Sequence, residues 1–127
     1  MRNLLALPFL FFASLPLFGG DCIYYVDPNQ TGRNFERNNT DFEETTVPAG
    51  WHDVISSVWI KDGTYSILGQ HHRFKGTRVY LYGAGWAVKD SVWIDAKPRK
   101  ANGGSWFNLS DIGFDDTTSS THCIRGG

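Results

Sequence analysis

Beyond residue 20 the chain alternates short apolar runs with turn residues. The runs are rich in Val, Ile, Thr, Tyr, Trp and Phe, which favour strands. No amphipathic helix is expected. A hairpin signal, Asp62-Gly63, follows the strongest run. The pattern predicts an all-β chain with strands at residues 22–26, 33–37, 42–47, 53–60, 65–68, 77–82 and 91–94.

One stretch of the pattern is written twice. AGWHDVISSVWIKD (49–62) returns in altered form as AGWAVKDSVWIDA (84–96). Because side chains alternate faces along a strand, Val58 and Ile60 share one face, as Val92 and Ile94 do in the copy. We therefore expect two equivalent strands whose Val/Ile faces meet a common core. A repeat of about 34 residues cannot fold alone, but two such units packed face to face make a sandwich.

The first 20 residues have a different pattern. A single early charge is followed by an apolar run over residues 4–18 and then by small residues, which is the layout of a secretory signal peptide. Pro8 and Pro16 interrupt the run, which is short for a membrane span; a retained anchor is the alternative. We expect an exported, extracellular protein with a signal peptide at 1–20, one domain at 21–127 and no span in the mature chain.

Charge and cysteine content narrow the picture. After residue 20 the chain has 11 Lys and Arg against 13 Asp and Glu, a net charge of −2, without the basic stripe of a nucleic-acid-binding protein. In an oxidising compartment Cys22 and Cys123 most simply pair with each other, although free thiols and intermolecular pairs remain alternatives. Three sequons are candidate N-glycosylation sites, at Asn29, Asn38 and Asn108.

Three residues of the first unit carry a family resemblance. Tyr25 is followed seven positions later by Gly32, and a late Ser57 lies in HDVISSVWI. This spacing resembles the Greek key motif of the beta-gamma-crystallins, in which the Gly permits a folded hairpin and the Ser binds back to it. The second unit keeps Gly76 and, in the copy, Ser91. The resemblance implies a two-motif Greek key β-sandwich.

Many members of that family bind calcium through two Asp or Asn residues, two arbitrary residues, Ser or Thr, and Ser. HDVISS (52–57) matches except at His52, the copy in the second unit lacks the carboxylates, and DDTTSS (115–120) matches fully. Such oxygen ligands suit Ca²⁺. A solvated polar loop is the alternative for the last string. The resemblance implies these calcium ligands: Asp53, Ser56, Asp115, Asp116 and Ser119.

The two strings leave two arrangements open. Motif one covers residues 23–62 in both. Motif two runs from 63 either to 96, with residues 97–127 as a C-terminal extension, or to 124, with residues 83–105 as an insertion. The repeat favours the first arrangement, which we prefer for topology. The full signature and Cys123 favour the second.

Together with the signal-peptide layout, the resemblance leads us to expect a secreted, non-enzymatic domain that binds calcium weakly and in which calcium has a structural or stabilising role. The alternative is a secreted interaction protein, such as a protease inhibitor or a toxin, that presents the loop GQHHRFKG (69–76) to an unknown extracellular protein or surface. No catalytic constellation is found. The five tryptophans are expected in the core rather than on a sugar-binding face, and KPRKANGG (97–104) is expected to be a solvated linker, with an anionic surface as its sharper alternative.

Overall fold

The computed structural model describes residues 20–39 and 46–126, which form two five-stranded antiparallel sheets. Within these ranges the helical turns are short 3₁₀ segments, at His72–Phe74 and Leu109–Ile112. The strands are β1 (Cys22–Asp27), β2 (Thr31–Arg37), β3 (Ser57–Lys61), β4 (Thr64–Gly69), β5 (Arg78–Tyr82), β6 (Ala87–Lys89), β7 (Val92–Ile94), β8 (Arg99–Ala101), β9 (Gly104–Asn108) and β10 (Ser120–Arg125).

The strand order makes two Greek key units. The first sheet has the order β2-β1-β3-β9-β8, and the second has the order β10-β4-β5-β6-β7. Unit one supplies β1, β2 and β3 to the first sheet, and unit two supplies β4, β5 and β10 to the second. β9 crosses from the second half of the chain to pair with β3. The predicted all-β Greek key sandwich is confirmed.

The last strand decides where unit two ends. β10 pairs along its whole length with β4, from Ser120 opposite Gly69 to Arg125 opposite Thr64. This pairing corresponds to the arrangement in which unit two continues past residue 96 and carries an insertion. The preference for ending unit two at residue 96 is therefore corrected, because the strand that closes this unit comes from the end of the chain and not from the copied SVWI.

The two SVWI strands have different fates. β3 lies between β1 and β9, and Val58 and Ile60 are fully buried. β7 is the last strand of its sheet, where Val92 is 61% exposed and Trp93 62% exposed, while Ile94 is partly buried. The expectation of two equivalent core strands was wrong. A short strand with a neighbour on one side only cannot bury its side chains as a central strand does.

The core lies between the sheets and is closed by a disulfide. Alternating residues of the central strands point inward, among them Leu68, Leu81 and Phe107, each fully buried. Cys22 of β1 is bonded to Cys123 of β10, as predicted, and both are at most 1% exposed. The bond links unit one to unit two across a separation of 101 residues. In the chain-entropy model such a loop stabilises the fold by about 4–5 kcal/mol.

A buried tyrosine adds a polar contact between the sheets. The Tyr24 hydroxyl in the first sheet lies 2.6 Å from Ser66 Oγ in the second, and both residues are fully buried. Burial disfavours the charged phenolate and raises the pKa of Tyr24 to about 12, although the Ser66 hydrogen bond and the Arg37 charge act in the opposite direction. The neutral hydroxyl is therefore part of the folded state.

Several strands were missed in the sequence. The short strands β6 and β8, and the longer β9 and β10, lie in segments where Gly, Lys, Ser, Asn or Asp interrupt the apolar runs, so that no strand was predicted there. KPRKANGG is not a linker, since it contains β8 and the turn into β9. Most of the predicted strand 42–47 lies outside the described residues. No helix in the described ranges is long and apolar enough to cross a membrane.

Candidate functional site

The two units fold their first hairpins with the same serine contact. Ser57 Oγ donates to the Asp27 carbonyl at 2.6 Å and accepts from Gln30 N at 3.0 Å. In unit two, Ser120 Oγ donates to the His71 carbonyl at 2.8 Å and accepts from a backbone N–H at 3.1 Å. The serine that binds back in unit two is therefore Ser120. Ser91, which the repeat suggested, is exposed in a turn.

Unit two replaces the missing hairpin aromatic by another route. Gly69 occupies the strand position of Tyr25 and leaves no space for a side chain, since a Cβ there would lie 2.7 Å from the Phe74 Cα. Phe74 itself is 7% exposed, and its backbone N–H donates a hydrogen bond to Ser120 Oγ. The buried aromatic ring at the unit-two hairpin thus comes from the loop, whereas in unit one the strand itself supplies the buried Tyr25.

The two signature loops, 52–57 and 115–120, lie against each other with reciprocal backbone hydrogen bonds. Asp53 N donates to the Thr118 carbonyl at 2.9 Å, and Asp116 N donates to the Ile55 carbonyl at 3.1 Å. Both aspartates adopt the left-handed conformation, with φ of 58° and 53°. Asp tolerates this conformation better than most residues. The loops are therefore related by an approximate two-fold symmetry.

The side chains of the two loops exchange partners in the same way. Ser119 Oγ donates to Asp53 Oδ1 at 3.3 Å, and Ser56 Oγ donates to Asp116 Oδ1 at 3.2 Å. The sequence grouped Asp53 with Ser56 and Asp116 with Ser119, because each pair lies in one string. The structure instead joins each carboxylate to the hydroxyl of the other unit. This exchange could not be read from either string alone.

The pairs Asp53–Ser119 and Asp116–Ser56 form two clusters. Each cluster contains one carboxylate and one hydroxyl group. Asp53 and Asp116 are exposed, whereas Ser56 and Ser119 are 6% and 7% exposed. Carboxylate, hydroxyl and carbonyl oxygens are the ligands of hard cations such as Ca²⁺. Within the described ranges no group of three or more His, Cys, Asp or Glu side chains is placed to hold a metal ion. Carboxylate and hydroxyl oxygens are donors that suit hard cations better than soft metals.

The first position of each loop distinguishes the two clusters. Asp115 and His52 occupy equivalent positions, and both are exposed. The Asp115 carbonyl accepts a hydrogen bond from Thr117 Oγ1 at 2.9 Å, which shapes the turn. His52 instead packs against His72, with ring centroids 4.9 Å apart. The loop 115–120 thus carries a second carboxylate, whereas the loop 52–57 carries an imidazole, His52, that packs against His72 of the 3₁₀ turn.

The candidate glycosylation sites differ in their surroundings. Asn29 N donates to Asn108 Oδ1 at 2.8 Å, and Asn108 Nδ2 donates to Asn29 Oδ1 at 2.9 Å. The amide nitrogen of Asn108 that would carry a glycan is therefore engaged. Asn38 is exposed just before the undescribed residues 40–45. The use of all three sequons remains a prediction.

The fold is similar to that of solved beta-gamma-crystallin domains. One match, from work on the evolution of the eye-lens beta-gamma-crystallin domain fold, has a TM-score of 0.59 at 18% identity and covers 85% of this chain and 88% of that chain. A beta-gamma-crystallin from an archaeon matches with a TM-score of 0.54 at 19% identity, covering 81% of this chain and 95% of that one.

A beta-gamma-crystallin from Ciona intestinalis matches with a TM-score of 0.50 at 20% identity, covering 80% of this chain and 95% of that chain. No family model matches the chain, and no curated protein matches it in sequence. The chain therefore has a beta-gamma-crystallin-like fold, as the sequence predicted. At this level of identity the similarity establishes the fold and leaves activity to the site.

Proposed function

We propose that the chain is a secreted, non-enzymatic domain that binds calcium weakly between the loops 52–57 and 115–120 and is stabilised by it. One observation carries the proposal: Asp53 lies with Ser119, and Asp116 lies with Ser56. The oxygen donors of each cluster come from both units. A calcium ion held there would link the two halves of the sandwich.

This arrangement couples binding to folding. Residues 53 and 119 are 66 positions apart, and residues 56 and 116 are 60 apart, so neither pair is close in an unfolded chain. A ligand that binds the native state and not the unfolded state stabilises the protein by mass action. Calcium is thus proposed as a stabiliser of the domain rather than as a catalytic cofactor.

The number and type of oxygen donors determine the calcium affinity that we expect for the sites. Each cluster has one carboxylate paired with a hydroxyl, and the carboxylates are exposed to solvent. Few charged ligands and an open position give weak sites, on the order of 10⁻⁴–10⁻³ M for extracellular modules. The cluster beside Asp115 has the additional carboxylate nearby. The tighter site is therefore proposed at Asp116 and Ser56, with Asp115 contributing.

An extracellular location is supported by the disulfide. Cys22 and Cys123 are bonded to each other, and no other cysteine is present in the chain. Bonds of this kind form and persist mainly in oxidising compartments. Together with the N-terminal apolar stretch, this supports export. Calcium at millimolar levels outside the cell would match weak sites.

The test is thermal unfolding of the oxidised chain in EDTA and in increasing calcium. At ten times the dissociation constant we expect a stabilisation of roughly 1.4 kcal/mol. For a domain of this size this corresponds to an increase in melting temperature of roughly 5–10 °C. Asp116→Ala should remove most of the increase, and Asp53→Ala a smaller part of it. Asp111→Ala, an exposed carboxylate in a 3₁₀ turn, is the matched control. An unchanged melting temperature in 10 mM calcium would refute the proposal.

The alternative, an inhibitory loop at residues 69–76, has less support. Phe74, the large apolar side chain of this loop, is 7% exposed and packs toward β10. Arg73 remains exposed at the tip. Truncating Phe74 would therefore damage the fold before it reported on any partner.

A further inference from the structure

Three apolar side chains of the described residues are unusually exposed, and all lie in residues 83–103, the part of the insertion 83–105 that precedes β9. Trp86 is 54% exposed, Val92 61% and Trp93 62%. The two indole rings lie with their centroids 5.1 Å apart. We call the two tryptophans the tryptophan patch, since Val92, as the neighbour of Trp93 on β7, points to the opposite face of the strand. Two tryptophans were expected in the core and are instead displayed together at the edge of the second sheet.

The tryptophan patch continues into an aromatic row on the outer face of the second sheet. The ring centroids of Trp93 and Tyr82 are 6.5 Å apart, and those of Tyr82 and Tyr65 are 5.1 Å apart. Outer faces of antiparallel sheets are ordinarily solvated and polar. Here the outward positions of β4, β5 and β7 carry half-buried or exposed rings. The apolar surface is thus an extended feature of one side of the sandwich.

The same segment has a net positive charge, unlike the rest of the chain after residue 20. Residues 83–103 contain four basic residues and two acidic ones, a net charge of +2. The rest of the chain after residue 20 has 7 basic and 11 acidic residues, a net charge of −4. The exposed apolar groups and the positive charge therefore lie in one segment of an otherwise acidic domain.

The run Lys97–Lys100 folds back toward the backbone that precedes Trp86, although Arg99 of this run lies over Trp106 of the first sheet and Lys89 donates to the Ile112 carbonyl. A Cβ on Gly85, the neighbour of Trp86, would lie 3.6 Å from the Pro98 ring. Lys100 Nζ lies 3.2 Å from the carbonyl oxygens of Gly83 and Ala84, and 3.8 Å from the exposed Asp62. Lys97, between Asp95 and Pro98, is exposed. Asp95 accepts the Lys97 backbone N–H and is the acidic residue closest in sequence to this run.

We propose that this edge docks the domain on the surface of an anionic lipid bilayer. Indole rings favour the boundary between headgroups and acyl chains, and lysines beside them are attracted to anionic headgroups. The domain would lie on the membrane without spanning it. A second copy of the chain is disfavoured as the occupant, because two such edges would bring like charges together. A neutral polysaccharide would leave the positive charge unused.

The experiment measures co-sedimentation with vesicles in EDTA, so that it does not depend on the calcium loops. The oxidised chain is used from Asp21 onward, which retains both sheets, the described core and the disulfide, and removes the apolar N-terminal stretch as a source of binding. We expect binding to vesicles of phosphatidylglycerol and phosphatidylcholine to be roughly tenfold tighter than binding to phosphatidylcholine alone, and to weaken in salt.

Variants locate the contact. Trp86→Ala combined with Trp93→Ala should weaken vesicle binding by roughly tenfold or more, and Lys97→Gln by a few fold. Lys75→Gln, at an exposed lysine in the unit-two hairpin, should leave binding unchanged. A melting curve for each variant checks that the fold is intact. Brominated acyl chains should quench the fluorescence of the wild type and leave the emission of the double variant largely unchanged.

Four outcomes would overturn the proposal. The first is no binding to anionic vesicles, and the second is equal binding to neutral ones. The third is a self-association that the tryptophan substitutions abolish in the absence of lipid, which would assign the patch to a second copy. The fourth is tryptophan-dependent binding to an insoluble polysaccharide without any vesicle binding.

Discussion

The loops 52–57 and 115–120 have nearly the same backbone and different chemistry. Both place an aspartate in the left-handed region, and both donate that aspartate's N–H to the opposite loop. Only the second begins with a carboxylate, since Asp115 stands where His52 stands in the first. The common part is what the sandwich needs to join its two units. The differing part gives the second loop one further carboxylate for the cation that we propose. Architecture and ligand chemistry therefore vary separately in this fold.

Both loops are carried by the same disulfide-linked sandwich, which we call the frame. Removing its disulfide is expected to have the largest effect. Replacing Cys22 and Cys123 by serine removes the covalent link between β1 and β10. We expect a loss of about 4–5 kcal/mol in the free energy of unfolding, because the unfolded chain regains the entropy of a long loop. Denaturant unfolding of the oxidised wild type and the double variant measures this. A loss below about 1 kcal/mol would mean that the bond adds little to a frame held by packing.

The buried Tyr24 belongs to the same frame, and its titration makes the stability of the frame depend on pH. Its pKa is raised to about 12 in the folded state, above the ordinary value of 10.0. Between these values the unfolded chain releases the phenol proton while the folded chain retains it, so stability falls as the pH rises from 10 to 12. The expected loss is roughly 3 kcal/mol. Below pH 10 this group contributes no pH dependence.

Tyr24→Phe is the control for that pH dependence, since it removes the titrating group and keeps the ring. Unfolding of both proteins in urea at pH 9 and pH 12 gives the comparison. Equal slopes of stability against pH in the two proteins would show that other groups cause the alkaline loss.

The hairpin serines test whether the two units are equivalent. Ser57 and Ser120 each donate to one backbone carbonyl and accept from one backbone N–H, and both are fully buried. Ser57→Ala and Ser120→Ala should each cost roughly 1–3 kcal/mol, because each leaves backbone groups without a partner. Ser91→Ala, at the exposed serine of the copied stretch, should stay within about 0.5 kcal/mol of the wild type. A large loss at Ser91 with none at Ser120 would reverse the assignment.

The smallest expected effect is a gain. His52→Asp gives the first loop the carboxylate that the second already has. We expect the calcium-dependent increase in melting temperature to grow by a few degrees, because a further carboxylate strengthens binding. The same substitution should lower stability slightly in EDTA, since it removes the ring contact with His72 and adds negative charge beside Asp53. Thermal unfolding with and without calcium separates the two effects.

The fold was largely predictable, and the pairing within it was not. Tyr25, Gly32 and Ser57 marked the first Greek key, because a folded hairpin requires a particular residue at each of those positions. The second key was misplaced by the copied SVWI, whose strand β7 lies at a sheet edge. Local sequence specifies that a segment can be a strand but not which neighbours it acquires. β10, rich in Ser and Thr, is a strand because β4 pairs with it.

The same reasoning explains the candidate site. The residues of both strings were recognisable, since the spacing of Asp and Ser is a local property. Their exchange between units, with Asp53 beside Ser119 and Asp116 beside Ser56, depends on contacts across more than 50 residues of chain. The exposure of Trp86 and Trp93 was missed for a similar reason. An apolar residue in a strand pattern is buried only if the strand has neighbouring strands on both sides, or if another layer of the protein packs over it.

We propose that each calcium site is built from both units, and a calorimetric double-mutant cycle tests this directly. Calcium binding is measured for the oxidised wild type, for Asp53→Ala, Ser119→Ala and Ser56→Ala, and for the double variants of Asp53 with each serine. We expect Asp53→Ala and Ser119→Ala to weaken the same site, so that their combination costs little more than one alone, and we expect the effects of Asp53→Ala and Ser56→Ala to be additive. Additivity between Asp53 and Ser119 together with coupling between Asp53 and Ser56, or no calcium heat at all, would contradict it.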